Sequence, residues 1–210
     1  RNPVYSLEEK LFLDPKEIED FPPLVLYFDN DQPDPDSWKA TTDKTYEETY
    51  RAYMARKDLF VREYVKVLEG RDSFLAANRL AAFFDREVRN GYESLLVFSD
   101  NLLRVLQQGF KVELEIQGFT SPRARENYNE RLSKRRANCL KNHFLTYKNG
   151  ALKPYIENGQ LVLKEIGFGE KLAPQYISDR LDDERGSIYS LAASAERKVA
   201  IIGATVFPGN

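Results

Sequence analysis

Apolar residues along this chain change their spacing segment by segment, and each change predicts an element. Leu24-Val25-Leu26-Tyr27-Phe28 is a short continuous apolar run behind Pro22-Pro23, which suits a strand buried on both faces. Asp29-Asn30-Asp31, then Pro33, Asp34, Pro35 and Asp36, end it in a loop. From Thr45 the period becomes helical: Tyr46, Tyr50, Tyr53, Met54, Phe60, Val61, Tyr64 and Leu68 recur, and Gly70 stands where a helix ends. A second helical pattern starts near Ser73, with Leu75, Leu80, Phe83, Phe84 and Val88. It either stops at Asn90-Gly91 or runs into the stripe Tyr92, Leu95, Leu96, Phe98, Leu102, Leu103 and Leu106, which ends at Gly109.

Lys111 to Gln117 alternates, with Val112, Leu114 and Ile116 on one face, and reads as a strand. A helix from about Arg125 to Tyr147 turns Tyr128, Leu132, Leu140 and Phe144 inward, and Asn149-Gly150 ends it. Pro154, Asn158 and Gly159 mark a loop. Leu161 to Ile166 is a third strand that leaves through Gly167-Phe168-Gly169-Glu170. Lys171 to Ala195 is polar without a long period, with Ile177 to Leu181 as a short helical turn, and Lys198 to Ile202 is the last strand. Residues 1–23 read as a lead-in whose Leu7, Leu11, Phe12 and Ile18 can pack on the body. Strands joined by helices favour parallel pairs packed under helices.

Composition narrows the function classes. At 210 residues the chain can bury one sizeable core or two small ones. With 42% hydrophobic residues, 12 Tyr and 13 Phe it is no disordered tail, and the tyrosine-rich stripe reads as core. A net charge of -2 gives no nucleic-acid signal. One cysteine, Cys139, excludes an internal disulfide and a cysteine-based zinc site; one histidine, His143, leaves little for a metal site or a serine-type triad. No metal, cofactor or catalysis is therefore expected. No run approaches the ~20 apolar residues of a membrane span. Charge is uneven: Asp29, Asp31, Asp34 and Asp36 cluster early, and Arg123, Arg125, Arg131, Lys134, Arg135, Arg136, Lys141 and Lys148 cluster in the middle. A local basic patch binds an anionic group without making the whole chain basic.

The stretch from Gly118 to Ala137 joins these threads. It puts a polar turn, Gly118-Phe119-Thr120-Ser121-Pro122, at the carboxyl end of a strand and opposite a basic helix face, an arrangement that can hold an anion. Turn residues beside a solvated helix face give the same pattern. Read as a motif, Gly118-Phe119-Thr120-Ser121, Tyr128-Asn129, Leu132-Ser133 and Arg135-Arg136-Ala137 resemble the OmpA-like domain, a peptidoglycan-binding module. That family carries a Gly-aromatic-Thr-Asp turn followed by these helix residues at the same spacing. Gly167-Phe168-Gly169-Glu170, Glu196-Arg197-Lys198-Val199 and Phe28-Asp29-Asn30-Asp31 resemble its later turn, the approach to its last strand and the end of its first. The resemblance covers Leu24 to Asp31 and about Tyr92 to Ile202. Residues from about 32 to 91 lie outside it and read as a helical insertion after the first strand, as in enlarged Bacteroidetes versions of the domain.

The resemblance implies an α+β fold over residues 24–210: a β-α-β-α-β-β sandwich of a mixed sheet covered by helices. It implies a non-enzymatic module that anchors an envelope protein to the wall, periplasmic and beside the outer membrane. A chain starting at Arg1 without a leader fits the carboxyl-terminal part of a longer protein. The implied ligand is the diaminopimelate of the peptidoglycan stem peptide, whose free end is zwitterionic. By position, Arg136 meets its carboxylate, with Thr120, Asn129 and Leu132 beside it, and Ser121 stands where the family has the Asp that meets the ammonium. Arg136→Ala is then expected to remove binding and spare the fold; the competing role for Arg136 is an ion pair with an acid of the first loop. A hydroxyl cannot neutralise an ammonium, and exchanging a charge-assisted bond for a neutral one forfeits about half its strength. Three outcomes stand open: Asp29 or Asp31 supplies the anion, the pocket takes another ligand, or the domain is a protein-docking scaffold in the periplasm. The scaffold would meet another envelope protein through the aromatic insertion, and an exposed apolar patch there is its signature.

Overall fold

The computed structural model describes residues 14–208, so Leu7, Leu11 and Phe12 lie outside the described residues. The chain opens with α1 (Pro15–Glu19), β1 (Leu24–Tyr27), α2 (Tyr46–Ala55), α3 (Lys57–Val65) and α4 (Gly70–Ala82). A π-helical turn, Phe83–Val88, leads into α5 (Arg89–Gln107), β2 (Lys111–Gly118), α6 (Glu126–Gly150), α7 (Lys153–Glu157) and β3 (Leu161–Gly167). A second π turn, Arg185–Tyr189, precedes α8 (Leu191–Glu196) and β4 (Lys198–Phe207). The class is α+β, a four-stranded open mixed sheet covered by helices.

The sheet order is β1-β4-β2-β3. Only β2 and β3, joined by α6, pair in parallel; β4 runs antiparallel to both β1 and β2. The antiparallel course of β4 in this mixed sheet has a topological reason. Strands β2 and β3 end side by side at Gly118 and Gly167, and Val199 of β4 starts opposite Gly118. The connection therefore stays at one end of the sheet, and β4 must run back. Strand β1 is an edge, and its burial alternates: Leu24 and Leu26 are buried, whereas Val25 and Tyr27 are half-buried. Tyr27 is apolar in pattern because Phe83 covers it edge-on, with ring centroids 4.9 Å apart.

In β2 the alternation is clean, with Val112, Leu114 and Ile116 fully buried. The opposite face carries a charge ladder, Glu113 between Lys111 and Lys164. In β4 a bulge at Ile202 separates the Ile116–Ile201 pair from the Glu115–Gly203 pair. The extra residue keeps Val199, Ile201, Ala204 and Val206 on one apolar face, although strict alternation would turn the last two outward. That face packs under α5 and α6, which contribute Leu95, Phe98, Leu102, Leu140 and Phe144 to the main core. Burial of each such side chain favours folding by ~1.5–3 kcal/mol. Ile18 of α1 belongs to the same core and Phe21 packs against it, so the lead-in rests on the body through these two side chains.

Thr45 caps α2 with a reciprocal Glu48 capping box, which is why helix begins there. The single helical stripe is two helices, broken at Arg56. Gly70 opens α4 at φ +54° rather than closing the helix before it. From Gly70 the chain stays helical through the π turn to Gln107; the wider turn accompanies burial of the adjacent Phe83 and Phe84. These residues form a second core with Tyr53, Phe60, Leu80 and Val88, against which Tyr50, Met54, Val61, Tyr64 and Tyr189 pack. The tyrosine stripe is core, as its pattern suggests. Helix α6 fails at Tyr147 (ψ 129°), where Lys148, Asn149 and Gly150 take positive φ. A one-turn helix, α7, occupies part of the expected loop, started by Pro154 in its first turn. Ile177–Leu181 is irregular, and the helical turns fall later, at Arg185–Tyr189 and α8.

Candidate ligand-binding site

A cavity of about 550 Å³ lies where β1 and β2 end and α6 begins. The turn after β2 supplies Thr120, Ser121, Arg123 and Arg125; α6 supplies Tyr128, Asn129, Leu132 and Arg136. The first loop supplies Asn30, Asp31, Asp36 and Trp38, and the chain before β4 adds Leu181 and Arg197. Of the sequence-derived candidates, Thr120, Ser121, Asn129, Leu132, Arg136 and Asp31 are thus brought together in the lining of one cavity, and Asp29 is not.

Two glycines let α6 lie this close to the strand ends. A Cβ on Gly118 would overlap the Ser133 carbonyl, and one on Gly169 (φ +59°) would press on Glu130 N at 3.2 Å. Ser133 locks the contact, donating to the Glu130 carbonyl (2.8 Å) and accepting from Gly169 N (2.9 Å). Thr120 N donates to the Gly169 carbonyl at 2.9 Å, which fixes the turn.

The basic patch expected on α6 is largely dissolved into the fold. Arg135 is fully buried and donates to the carbonyls of Pro33, Ser37 and Lys39 at 2.6–2.7 Å. Arg136 is also fully buried and donates to the carbonyls of Gln32 (3.0 Å), Phe119 (2.7 Å) and Asp29 (3.3 Å), above the Phe28 ring. These two side chains staple the first loop to α6 and the β2 turn. The ion pair considered for Arg136 does not form: its partners are carbonyls, not carboxylates. Burial, and next the nearby Arg197, push its pKa down to about 9. Lys134, Lys141 and Lys148 pair with Glu130, Glu165 and Asp100. Arg131 reaches the Trp38 carbonyl, and Arg123 holds the carbonyls of Arg180 and Leu181 and the Ser187 hydroxyl. Arg125, exposed at the cavity mouth, makes no ion pair among the described residues.

The acidic loop divides in the same way. Asp29 is buried, and its carboxylate accepts from Arg56 Nη1 of the helical insertion (2.6 Å) and from Asn30 N (2.6 Å). It is unavailable to a ligand. Asp31, Asp34 and Asp36 take positive φ, a conformation that Asp tolerates better than most residues, so the repeated aspartates shape the turn. Asp31 accepts from the Tyr128 hydroxyl (2.5 Å) and Asp36 N (2.9 Å) and remains half-exposed. Burial, followed by Asp31, raises Tyr128 to a pKa of about 12, so the phenol stays a donor. Neither Asp31 nor Asp36 is in an ion pair among the described residues. Asn129 donates to the Ala124 carbonyl and to Glu170, whose pKa is raised by burial, with Glu126 and Asp179 adding to the shift.

Beyond the residues expected from the sequence, Trp38 and Arg197 join the wall. Trp38, 53% exposed, stands edge-on to Tyr128 with ring centroids 5.3 Å apart. Arg197, 1% exposed, and Thr120, 1% exposed, each have a side-chain atom without a partner, Nη1 and Oγ1. A lone Trp between Ser37 and Lys39 in a Pro- and Asp-rich loop was the available signal for the first. Arg197 offers none beyond its place before the last strand. Ser121 lies on the same lining and is 5% exposed.

Chemically, the lining of the cavity combines carboxylates, guanidinium groups and the aromatic rings of Trp38 and Tyr128. Among the described residues no cluster of His, Cys, Asp and Glu is arranged to hold a metal ion, and no helix is long and apolar enough to cross a membrane. The chain matches no known family, no curated protein and no solved structure.

Proposed function

We propose that this chain is a non-enzymatic binding module of the OmpA-like kind, whose cavity holds the diaminopimelate end of a peptidoglycan stem peptide. The observation that carries the reading is the presence of both signs in the lining of one cavity: Asp31 and Asp36 of the first loop, in no ion pair among the described residues, together with Arg125, Arg136 and Arg197. A zwitterionic end needs both. The motif residues Thr120, Asn129, Leu132 and Arg136 meeting on this wall lend further support. The anion comes from Asp31, because Ser121 has no charge and Asp29 is committed to Arg56. On this reading the protein tethers a cell-envelope assembly to the wall in the periplasm, beside the outer membrane.

The test is titration with a soluble diaminopimelate muropeptide, followed by fluorescence. Trp38 is the single tryptophan of the chain, so any emission change reports on the cavity rim. Saturable binding is expected, weakened about 10- to 100-fold in Asp31→Asn, since a charge-assisted bond contributes ~1.5–3 kcal/mol. No saturable change at millimolar ligand would sink the reading. The docking-scaffold alternative retains one supporting observation. The stripe Tyr46, Tyr53 and Phe60 is fully buried, but Val67, Phe74 and Leu75 around α3 and α4 are 64%, 66% and 39% exposed. If muropeptide does not bind while envelope protein is captured in a way that Phe74→Glu abolishes, the scaffold takes its place.

A further inference from the structure

Trp38 is the only tryptophan of the chain, and it stands 53% exposed in the lining of the cavity. Tryptophan is highly buried on average, so leaving roughly 100 Å² of this side chain in water runs against the ordinary course of folding. The backbone beneath it is fixed. Arg135, fully buried, donates to the carbonyls on either side, Ser37 (2.7 Å) and Lys39 (2.6 Å), and Arg131 donates to the carbonyl of Trp38 itself (3.3 Å). Ser37 N donates to the Asp34 carbonyl (3.2 Å), and Lys39 N donates to the Ser37 hydroxyl (3.2 Å). Leu181, 70% exposed in the same lining, repeats the arrangement: Arg123 donates to its carbonyl and to that of Arg180, both at 3.2 Å. An apolar side chain left in water on a clamped backbone loses little freedom when a ligand covers it, which is the physical content of preorganisation.

We propose that Trp38 is a stacking platform for the sugar ring that carries the stem peptide, so that the site reads a glycopeptide and not a peptide alone. This rests on the stem-peptide reading and extends it to the glycan. A pyranose ring presents a face of C–H groups, which packs on an aromatic ring, and an equator of hydroxyl and amide groups, which needs polar neighbours. Trp38 supplies the first, and Asn30 and Asp36 of the same lining supply the second. The spacing fits. Asp31, which meets the diaminopimelate ammonium on this reading, accepts from the Tyr128 hydroxyl at 2.5 Å, and the ring of that tyrosine lies 5.3 Å from the ring of Trp38. Through this one side chain the carboxylate and the indole are at most on the order of 10 Å apart, a span that two or three linked residues cover at ~3.3–3.6 Å each. A volume of about 550 Å³ is in the range that encloses a drug-sized ligand rather than one amino-acid end. A nucleobase would stack as well, but its phosphates would come beside Asp31 and Asp36, as would the headgroups of an anionic membrane.

Calorimetric titration with three probes tests the platform: an N-acetylmuramyl tripeptide ending in diaminopimelate, the same tripeptide with an acetyl group in place of the sugar, and the peptide-free disaccharide of N-acetylglucosamine and N-acetylmuramic acid. The wild type is expected to bind the muramyl tripeptide about 3- to 10-fold more tightly than the acetyl tripeptide, the contribution of one aromatic stacking contact. Trp38→Ala removes that preference, and Trp38→Phe, with a smaller ring, keeps part of it. Should Trp38→Ala fail to fold, Trp38→Phe decides by the same ratio. The emission of wild-type Trp38 gives a readout that a merely structural role would not move: it shifts to the blue with the muramyl tripeptide and not with the acetyl tripeptide. Equal affinity for the two peptides in the wild type, or a preference that survives Trp38→Ala, overturns the platform and leaves the stem-peptide reading standing. Equal binding of the muramyl tripeptide and the disaccharide, with no binding of the acetyl tripeptide, keeps the platform and rejects that reading. No binding of any probe at millimolar concentration rejects both.

Discussion

Replacing Arg136 by Ala should cost the fold, not merely the ligand. The guanidinium is fully buried and holds carbonyls from three places: Asp29 and Gln32 in the first loop, and Phe119 in the β2 turn. Each bond from a charged donor contributes ~1.5–3 kcal/mol, and a carbonyl left buried without a donor loses its hydration as well. The cavity beside Arg136 admits water to part of the gap, so the three losses do not simply add. A destabilisation of ~3–5 kcal/mol is expected, in line with removal of one partner from a buried polar network. For a chain of this size ~1 kcal/mol shifts melting by roughly 2–4 °C, so Arg136→Ala should melt about 6–20 °C below the wild type. Arg125→Ala, at an exposed cation on the same cavity, should stay within ~0.5 kcal/mol. Arg136→Lys should recover little, because one ammonium cannot span three diverging carbonyls. Circular-dichroism melts and urea titrations of the three variants read this out. Melting of Arg136→Ala within about 2 °C of the wild type would refute the staple and return Arg136 to the ligand.

Three further outcomes follow from burial elsewhere. Burial holds the His143 pKa down to about 4, against ~6.5 unfolded, so its contribution is complete above about pH 6.5 and is lost as pH falls through the folded value, by up to ~3 kcal/mol. Urea midpoints at pH 7.5 and 5 should therefore converge in His143→Leu relative to the wild type; an unchanged pH slope rejects this account. Burial pushes the Cys139 thiol up to about 12, so iodoacetamide should label it only as fast as the protein unfolds, and prompt labelling in native buffer would contradict the packing. Gly118→Ala should reduce stability by several kcal/mol, since no flexible side chain can yield to the new methyl where it meets the Ser133 backbone; near-wild-type melting would show that α6 can move away.

The parts of the fold written in local pattern were legible, and those set by packing between distant segments were not. The alternation of β2 and the stripe of α5 have one periodicity each and were read directly. The break at Arg56 was hidden because α2 and α3 feed the same aromatic core, so the apolar spacing continues across it. Gly70 was misread because a positive-φ glycine serves the start of a helix as readily as its end. At the site, the turn and α6 brought their candidates together because they are neighbours in sequence. The fate of charges was not legible. Nothing in a run of basic residues distinguishes Arg135 and Arg136, which face loop carbonyls, from the exposed Lys134, one or two positions away, and Arg131, four or five positions away. Likewise nothing in the sequence marks Asp29, rather than Asp31, as the one that Arg56 reaches from a distant helix junction.

That contact shows what the helical insertion does for the cavity. The loop leading into it supplies Asp36 and Trp38 to the wall, and Arg135 fixes its path by gripping Pro33, Ser37 and Lys39. Behind the wall, the Phe60 ring lies between two guanidinium groups, Arg56 at 5.7 Å and Arg197 at 5.8 Å. Arg56 holds Asp29, which precedes Asp31; Arg197 reaches the cavity from the other side. One aromatic residue of α3 thus backs both the acidic and the basic half of the site. Tyr189, packed edge-on to Phe60 at 5.2 Å, and Arg185, bonded to the Tyr64 carbonyl, tie the chain before β4 to the same helices. Displacing α3 would therefore disturb Asp29 and Arg197 together, although neither belongs to the insertion. The added helices act as the rear support of the pocket, and their aromatic richness follows from that position: they must form a second core and flank a half-exposed and a buried guanidinium with the same few side chains.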